Sequence, residues 1–250
     1  MRQPGTRPDS GVALHWWRFK RSFGRRWREW RLPAGFLRLG TRYGGWWVFA
    51  PAVSRNPLLI DCGLGKDISF PAAFLARFGG QVIGIDPNPD AVEYSRARAP
   101  EGMDVRMQAF WTLPGQTMQF HMPRPLAHLP KGADGVSGSL LSSHSYAGGT
   151  TLAVCTTSLG EVLRLAARSE CDVLKLDIEG AEYDVLAALC ASGDVRNVRQ
   201  LLVEFHHHCT DKTLQDTERA IQSIEDSGFL LAHTEDRNAV FLRRDVPHAG

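Results

Sequence analysis

The sequence lacks the features that mark membrane-spanning, secreted and repeat proteins. It contains no apolar stretch long enough to cross a bilayer, and arginine interrupts the N-terminal region where a secretory signal needs an apolar core. Its five cysteines form no C-x-x-C pair, which is typical of reduced thiols. A chain of 250 residues that is 43% hydrophobic can bury one good-sized core. These features predict a globular protein of the cytoplasm, with peripheral membrane contact as the alternative.

Charge and tryptophan are distributed very unevenly along the chain. Residues 1–50 contain eleven lysines and arginines against two acidic residues, whereas residues 51–250 contain 18 basic and 25 acidic residues. Six of the seven tryptophans also lie in residues 1–50. We therefore expect a basic aromatic arm or lid over 1–50 and a separate domain over 51–250. Docking of the arm on the acidic domain is favoured; an anionic membrane or lipid-linked substrate is the second alternative, and nucleic acid is a weaker one.

A β-α-β unit begins this domain. The apolar runs Leu58–Ile60 and Val82–Ile85 predict two strands, each followed by an aspartate, Asp61 and Asp86. Apolar residues at helical spacing predict a helix over Ile68–Phe78 between them. Units of this kind place their ligand at the carboxyl ends of the strands. The domain is therefore predicted to be α/β, with a mostly parallel, Rossmann-like sheet.

The glycine turn after the first strand indicates which ligand binds there. Gly63 and Gly65 allow close approach of the backbone, and Asp86 is placed to accept hydrogen bonds from a ribose diol. The third glycine of the dinucleotide fingerprint is missing, and Asp67 stands where the helix begins. Asp61 and Asp67 would repel a pyrophosphate but attract a sulfonium ligand that carries an ammonium group. This charge pattern favours S-adenosylmethionine over NAD.

The next part of the chain is less regular. A helix is predicted over Asp90–Arg98 with Asp90 as its cap, and a third strand over Val105–Phe110. In a fold of this kind, the end of the third strand flanks the adenine, which points to Gln108 and Ala109. Residues 111–150 are rich in glycine and proline and are expected to form a long functional loop.

Carboxylates gather after a fourth strand, Val173–Leu176. Asp177, Glu179 and Glu182 follow it within six residues, at the sheet edge that also carries Asp61 and Asp86. Carboxylates packed together there raise one another's pKa or bind a cation.

A fifth strand, Val198–Phe205, ends in Glu204 and His206, which period two places on the same face. Asp177, Glu204 and His206 would form an O,O,N ligand set for Mg²⁺ or Mn²⁺. His206 is equally suited to be a general base with a pKa near neutrality. The following helix, Thr213–Ser227, is predicted to be capped by Thr210 or Asp211. Two apolar runs, Phe229–His233 and Ala239–Arg243, predict a closing antiparallel hairpin.

Three segments together resemble the FkbM family of S-adenosylmethionine-dependent methyltransferases: IDPNP at 85–89, KLDIEGAEYDVL at 175–186 and VEFH at 203–206. The resemblance covers roughly residues 55–245. It implies a class I methyltransferase fold and O-methylation of a hydroxyl on a sugar, glycolipid or secondary metabolite. By position, Asp61, Gly63 and Gly65 would line the methionine portion of the cofactor.

Further roles follow from the same resemblance. Asp86 would bind the ribose, and Asn88 and Asp177 are taken as further cofactor contacts. Glu179 would be a base, beside a divalent metal held at the ends of the predicted strands Val173–Leu176 and Val198–Phe205. The sequence departs from the family at Gly65 and Asp67, which predicts an altered cofactor pocket. The alternatives are a non-catalytic module recruited by the basic arm and, less favoured, an NAD-dependent oxidoreductase, which the absence of a Tyr-x-x-x-Lys pair argues against.

Overall fold

The computed structural model describes residues 34–125 and 137–246. The densest part of the basic aromatic arm lies outside the described residues, as does the middle of the predicted loop at 126–136. Within the described ranges, no helix is both long enough and apolar enough to cross a membrane.

Twelve strands and five α-helices make up the described part of the chain. The strands are β1 (Phe36–Leu39), β2 (Trp46–Phe49), β3 (Leu58–Cys62), β4 (Gln81–Asp86), β5 (Met103–Met107), β6 (Ala109–Phe110), β7 (Thr117–Pro123), β8 (Ala147–Thr157), β9 (Cys171–Leu176), β10 (Val198–Glu204), β11 (Phe229–Glu235) and β12 (Asn238–Arg243). The helices are α1 (Ser69–Phe78), α2 (Pro89–Arg96), α3 (Leu159–Leu165), α4 (Glu182–Ser192) and α5 (Leu214–Asp226).

The central sheet has seven strands in the order β11-β12-β10-β9-β3-β4-β5. Strands β10, β9, β3, β4 and β5 are parallel, and β12 pairs antiparallel with both β10 and β11. The chain runs from β3 outward through β4 to β5, and later from β9 outward through β10. This reversal is the topological switch point at which α/β sheets bind ligands. The predicted α/β fold with its closing antiparallel hairpin is confirmed.

Apolar side chains on both faces of β3 and β9 explain why these strands are central. All residues of β3 are buried, with Leu58 and Ile60 in the core beneath α3, α4 and α5. Leu59 points to the opposite face, where β2 and α1 cover it with Trp46 and Phe74. A strand buried on both faces reads as a continuous apolar run, which is why the sequence identified it.

The hairpin β1–β2 belongs to this second core. The Phe49 amide donates to Gln200 Oε1 at 2.8 Å, and Gln200 Nε2 donates back to the Phe49 carbonyl at 3.1 Å. Trp46 and Val48 are buried against the sheet. The boundary predicted near residue 51 therefore falls within a packed unit.

Two helix caps differ from the prediction. Asn88, not Asp90, caps α2, because its side chain accepts from the Asp90 amide at 3.0 Å. Thr213 caps α5 in a capping box with Asp216, so neither Thr210 nor Asp211 is the cap.

A second, three-stranded sheet in the order β6-β8-β7 corrects two further predictions. The strand predicted over Val105–Phe110 is interrupted at Gln108, and its last two residues pair with β8. The predicted loop over 111–150 contains β7 and the start of β8. The two strands pair antiparallel, with a register irregularity between His121 and Pro123.

Candidate active site

A cleft of about 1390 Å³ lies along the carboxyl ends of the parallel strands. Its lining includes the turn after β3, Asp86 at the end of β4, and the acidic residues that follow β9. The tryptophans of β2 form part of the wall. The glycine turn and the carboxylates predicted from the sequence therefore share one cavity.

Gly63 is required by the neighbouring strand. Its φ is +86°, and a Cβ at this position would lie 1.8 Å from the Asp177 carbonyl oxygen. The Asp177 amide also donates to the Cys62 carbonyl at 3.1 Å. Gly63 therefore lets β3 and the turn after β9 meet; it also lines the cleft, and its contact with the cofactor stays a prediction.

Asp86 holds the glycine turn from the adjacent strand. Its Oδ2 accepts from the amides of Leu64 at 2.8 Å and Gly65 at 3.0 Å, and its Oδ1 accepts from Asn88 at 2.8 Å. Burial raises the pKa of the carboxyl, although these amides counteract the rise. Because a carboxylate oxygen can accept two hydrogen bonds, Oδ1 can accept another donor.

Lys175 was not assigned a role from the sequence, yet it organises this edge of the sheet. Its ammonium lies 3.1 Å from Asp61 Oδ1 and 3.5 Å from Asp177 Oδ2, and it donates to the Gly63 carbonyl. The Trp46 ring covers it at 5.7 Å. Asp61 is therefore a buried, neutralised partner of Lys175, and it is not among the described residues that line the cleft.

Asp67 is also paired within the protein. Its Oδ2 accepts from the Thr41 hydroxyl at 2.6 Å and its Oδ1 from the Ser69 amide at 2.8 Å. Of the two acids expected to attract a cationic ligand, Asp61 is therefore paired with Lys175. Asp67 accepts only from neutral groups, which lower its pKa, and it lines the cleft, so its attraction for the ligand stays a prediction.

Asp177, Glu179 and His206 form a group that we call the carboxylate–histidine cluster. His206 Nε2 lies 3.4 Å from Glu179 Oε2 and 3.6 Å from Asp177 Oδ1. Glu179 has φ of +53°, an uncommon backbone conformation for a residue with a side chain. This turn carries its carboxylate to the cluster.

Glu182 supports the cluster from below. Its carboxylate is fully buried at the start of α4 and accepts from the Gly180 amide at 2.8 Å. It also accepts from the His206 amide at 2.8 Å and lies 3.2 Å from His206 Nδ1. Because an ionised carboxylate only accepts hydrogen bonds, the contact with Glu182 places a proton on His206 Nδ1. The other ring nitrogen, Nε2, faces the carboxylates of Asp177 and Glu179.

The cluster shifts the pKa of each of its members. Burial alone would lower the pKa of His206, but Glu179 and Glu182 raise it well above its usual value. Burial alone would raise the pKa of Glu179, but His206 and His144 lower it to about 2. Burial raises the pKa of Asp177 to about 7 despite Lys175. The neighbouring carboxylates thus favour the protonated form of His206, and its role as a general base stays a prediction.

Glu204 lines the cleft but does not join the cluster. Its Oε1 accepts from Arg237 Nη2 at 3.0 Å and from Nε at 3.2 Å. Arg237 comes from the turn between β11 and β12, which pattern arguments on β10 could not foresee. The predicted set of Asp177, Glu204 and His206 is therefore replaced by a set in which Glu179 takes the place of Glu204.

The segment 137–147 closes over the cluster. Ser139 donates to the Glu179 carbonyl at 2.7 Å, and His144 Nε2 lies 2.8 Å from Glu179 Oε2. His144 Nδ1 accepts from the amides of Tyr146 and Ala147, both at 3.2 Å. Because Nδ1 accepts, the ring proton is on Nε2, and His144 donates to Glu179.

Of the remaining predicted site residues, two line the cleft and two do not. Gly65 and Ala109 line the cleft. Asn88 and Gln108 are not among the lining residues in the described ranges, and the Asn88 side chain is engaged in capping α2.

The sheet order, the switch point and the cleft beside a glycine turn define the fold of the class I methyltransferases. Residues 61–231 match the family model described as the methyltransferase FkbM domain. The chain belongs to this family of S-adenosylmethionine-dependent methyltransferases.

Individual relatives are more distant. The chain is 29% identical over 105 residues to a probable methyltransferase-like protein 24 of Rattus norvegicus. This match covers 38% of the present chain and 29% of that protein. The chain thus matches under a third of the length of this relative.

Similarity to solved structures is found at low identity and low TM-score. The METTL16 methyltransferase domain has a TM-score of 0.41 at 9% identity, covering 74% of this chain and 58% of that one. Fibrillarin of Aeropyrum pernix, in complex with S-adenosyl-L-methionine, has a TM-score of 0.38 at 13% identity, covering 77% and 67%. A TehB-like methyltransferase of Corynebacterium glutamicum has a TM-score of 0.36 at 13% identity, covering 76% and 82%.

Proposed function

We propose that the protein transfers the methyl group of S-adenosylmethionine to a hydroxyl of a small-molecule or glycan acceptor. The observation that carries this proposal is the single cleft joining the glycine turn and Asp86 to the carboxylate–histidine cluster. A methyl donor in one half of the cleft would face an acceptor in the other. Sugars, glycolipids and secondary metabolites are the acceptor classes that we propose.

The described residues fit an adenosine-containing donor. Asp86 Oδ1 accepts one amide and retains capacity for a ribose hydroxyl. Gly65 and Ala109 line the adjacent wall without bulky side chains. When bound, the donor supplies an electrophilic methyl on a sulfonium, so the protein has chiefly to orient the acceptor and remove a proton.

Glu179 is the residue that we propose takes this proton. An alcohol oxygen that gains a methyl group becomes positively charged and strongly acidic, so even a carboxylate with a pKa of about 2 can accept its proton. His206 Nε2 lies 3.4 Å from Glu179 Oε2 and helps to hold this carboxylate in place. A cation held by Asp177, Glu179 and His206 would assist by binding the hydroxyl oxygen.

Calorimetry with S-adenosylhomocysteine, with and without Mg²⁺ or Mn²⁺, tests the cofactor. We expect micromolar binding without added metal, and no stabilisation by NAD in a parallel thermal-shift assay. Glu179→Gln should abolish methyl transfer and leave this affinity near that of the wild type. Loss of cofactor binding in the variant would contradict the assigned role, and no binding by the wild type would favour a non-catalytic module recruited through the basic residues of 1–50.

A further inference from the structure

The side chains of the carboxylate–histidine cluster are spaced more widely than direct hydrogen bonds require. His206 Nε2 lies 3.4 Å from Glu179 Oε2 and 3.6 Å from Asp177 Oδ1, longer than the roughly 2.8 Å of a charge-assisted hydrogen bond. All three lie within 4.8 Å of one another. Atoms that share an ion at about 2.1 Å are themselves about 3.0–3.4 Å apart. The observed separations are close to this spacing.

His206 is held by a neighbouring carboxylate in the way that metal-binding histidines usually are. Histidines that bind a metal through one nitrogen usually donate the other ring N–H to a carboxylate, which fixes the tautomer and the orientation of the ring. Glu182 provides this acceptor at 3.2 Å from Nδ1, and it is fully buried. His206 is itself 4% exposed, and its Nε2 is directed at the two carboxylates.

The local charge also favours a cation. Lys175 neutralises Asp61, and Arg237 pairs with Glu204. Three carboxylates then remain around His206, namely Asp177, Glu179 and Glu182. Asp177 contacts Lys175 through Oδ2, at 3.5 Å, and its other oxygen, Oδ1, faces His206 Nε2.

A second group near Glu179 has residue types that bind metals, but its histidine is in a tautomer that cannot bind one through Nε2. His144, Glu179 and Cys209 also place their ligand atoms within 4.8 Å of one another. His144 accepts two backbone amides on Nδ1, so its Nε2 carries hydrogen and has no lone pair for a metal.

We propose that Asp177, Glu179 and His206 bind one divalent first-row cation, and that Glu182 is the residue that orients His206 toward it. The imidazole in an otherwise carboxylate set favours Mn²⁺ over Mg²⁺. The role of this ion in methyl transfer rests on the proposed function, but its binding does not.

Calorimetric titration of the EDTA-treated, dialysed full chain with Mn²⁺ tests the site. We expect one ion per chain, and at least about tenfold weaker binding in His206→Ala and in Glu179→Gln. Glu182→Gln should weaken binding by about 10- to 100-fold, as other residues that orient metal ligands do.

A matched control comes from the neighbouring carboxylate that pairs with Arg237. Glu204→Gln should bind Mn²⁺ within about threefold of the wild type. An equal loss in Glu204→Gln would return the site to Glu204 and overturn the assignment. Absence of Mn²⁺ binding by the wild type would show that the cluster is an ion-paired imidazolium alone.

Two further measurements keep the test decisive if Glu182→Gln fails to fold. Electron spin-echo spectroscopy of the Mn²⁺-loaded chain should show coupling to one histidine nitrogen, and His206→Ala should abolish it. Co²⁺ loading should give no thiolate charge-transfer band, since such a band would assign the ion to Cys209. Binding of S-adenosylhomocysteine without Mn²⁺ binding would refute the metal site alone, and the reverse result would refute the proposed function alone.

Discussion

Lys175 lies directly opposite Asp61 in the parallel register of β9 and β3, with its ammonium 3.1 Å from the carboxylate. The same ammonium reaches Asp177 and the Gly63 carbonyl. One buried cation therefore ties the glycine turn, on the side of the cleft where we propose that the cofactor binds, to the acidic turn on the other side. The packing of Trp46 over Lys175 makes the β1–β2 hairpin part of this arrangement.

Lys175→Met should destabilise the protein strongly, because it leaves Asp61 buried without its cation. Breaking a buried ion pair from one side costs about 3–5 kcal/mol. Urea unfolding measures the loss, with Lys212→Met as the control, since Lys212 forms only a partly exposed pair with Asp184 at 3.9 Å and should contribute at most about 1 kcal/mol. The double variant Lys175→Met/Asp61→Asn should regain part of the stability. A loss below about 1 kcal/mol in Lys175→Met would contradict the role of the pair.

Elements with a strong local signal were predictable from the sequence. Strands β3 and β9 are buried on both faces and read as continuous apolar runs, and each is followed by a turn with acidic or glycine residues. The closing hairpin β11–β12 was recognisable from two apolar runs around a short polar turn. These signals were sufficient for the order of elements and for the edge of the sheet that carries the site.

Interactions between distant segments were not predictable. The lysine in Val173–Leu176 gave no indication of its partner, because only the register of β3 and β9 places it opposite Asp61. The period-two pattern placed Glu204 and His206 on the same face, and both line the cleft. Arg237, however, pairs with Glu204, which therefore does not join the cluster. Glu179 enters it through a positive φ that no sequence pattern signals.

Asp86→Asn should weaken S-adenosylhomocysteine binding. The variant replaces an acceptor oxygen by an NH₂ group that faces backbone donors, either at Leu64 and Gly65 or at Asn88. Hydrogen bonds to a charged group contribute about 1.5–3 kcal/mol, which corresponds to about 10- to 100-fold in affinity. Calorimetry measures this change. Asn88→Ala, which removes the α2 cap at a cost of about 1 kcal/mol, should leave the affinity within about threefold; an equal loss there would attribute the effect to α2.

Asp67→Ala should lower stability at neutral pH without weakening cofactor binding. Partial burial alone would raise the pKa of Asp67, but hydrogen bonds from Ser69 and Thr41 lower it below the usual 3.8. The ionised carboxylate therefore stabilises the folded protein. This contribution is complete above the unfolded-state pKa and is lost as the pH falls through the lower folded-state pKa.

Urea unfolding of the wild type and Asp67→Ala at pH 7 and near pH 2.5 should therefore show a difference that shrinks in acid. Thr41→Val, which removes only one of the two partners, should give an intermediate result. If Asp67→Ala instead binds S-adenosylhomocysteine more tightly than the wild type, the expectation that Asp67 impairs the cofactor pocket would be supported.

His144→Leu should slow methyl transfer without changing cofactor affinity. His144 donates to Glu179 Oε2 at 2.8 Å from a tautomer that the Tyr146 and Ala147 amides fix. Loss of a hydrogen bond to a charged group corresponds to about 10- to 100-fold in rate. His144→Gln retains a donor on a side chain of similar reach and should recover most of the activity. Steady-state kinetics separate kcat from KM for the cofactor, and equal activity of the leucine and glutamine variants would show that His144 serves packing alone.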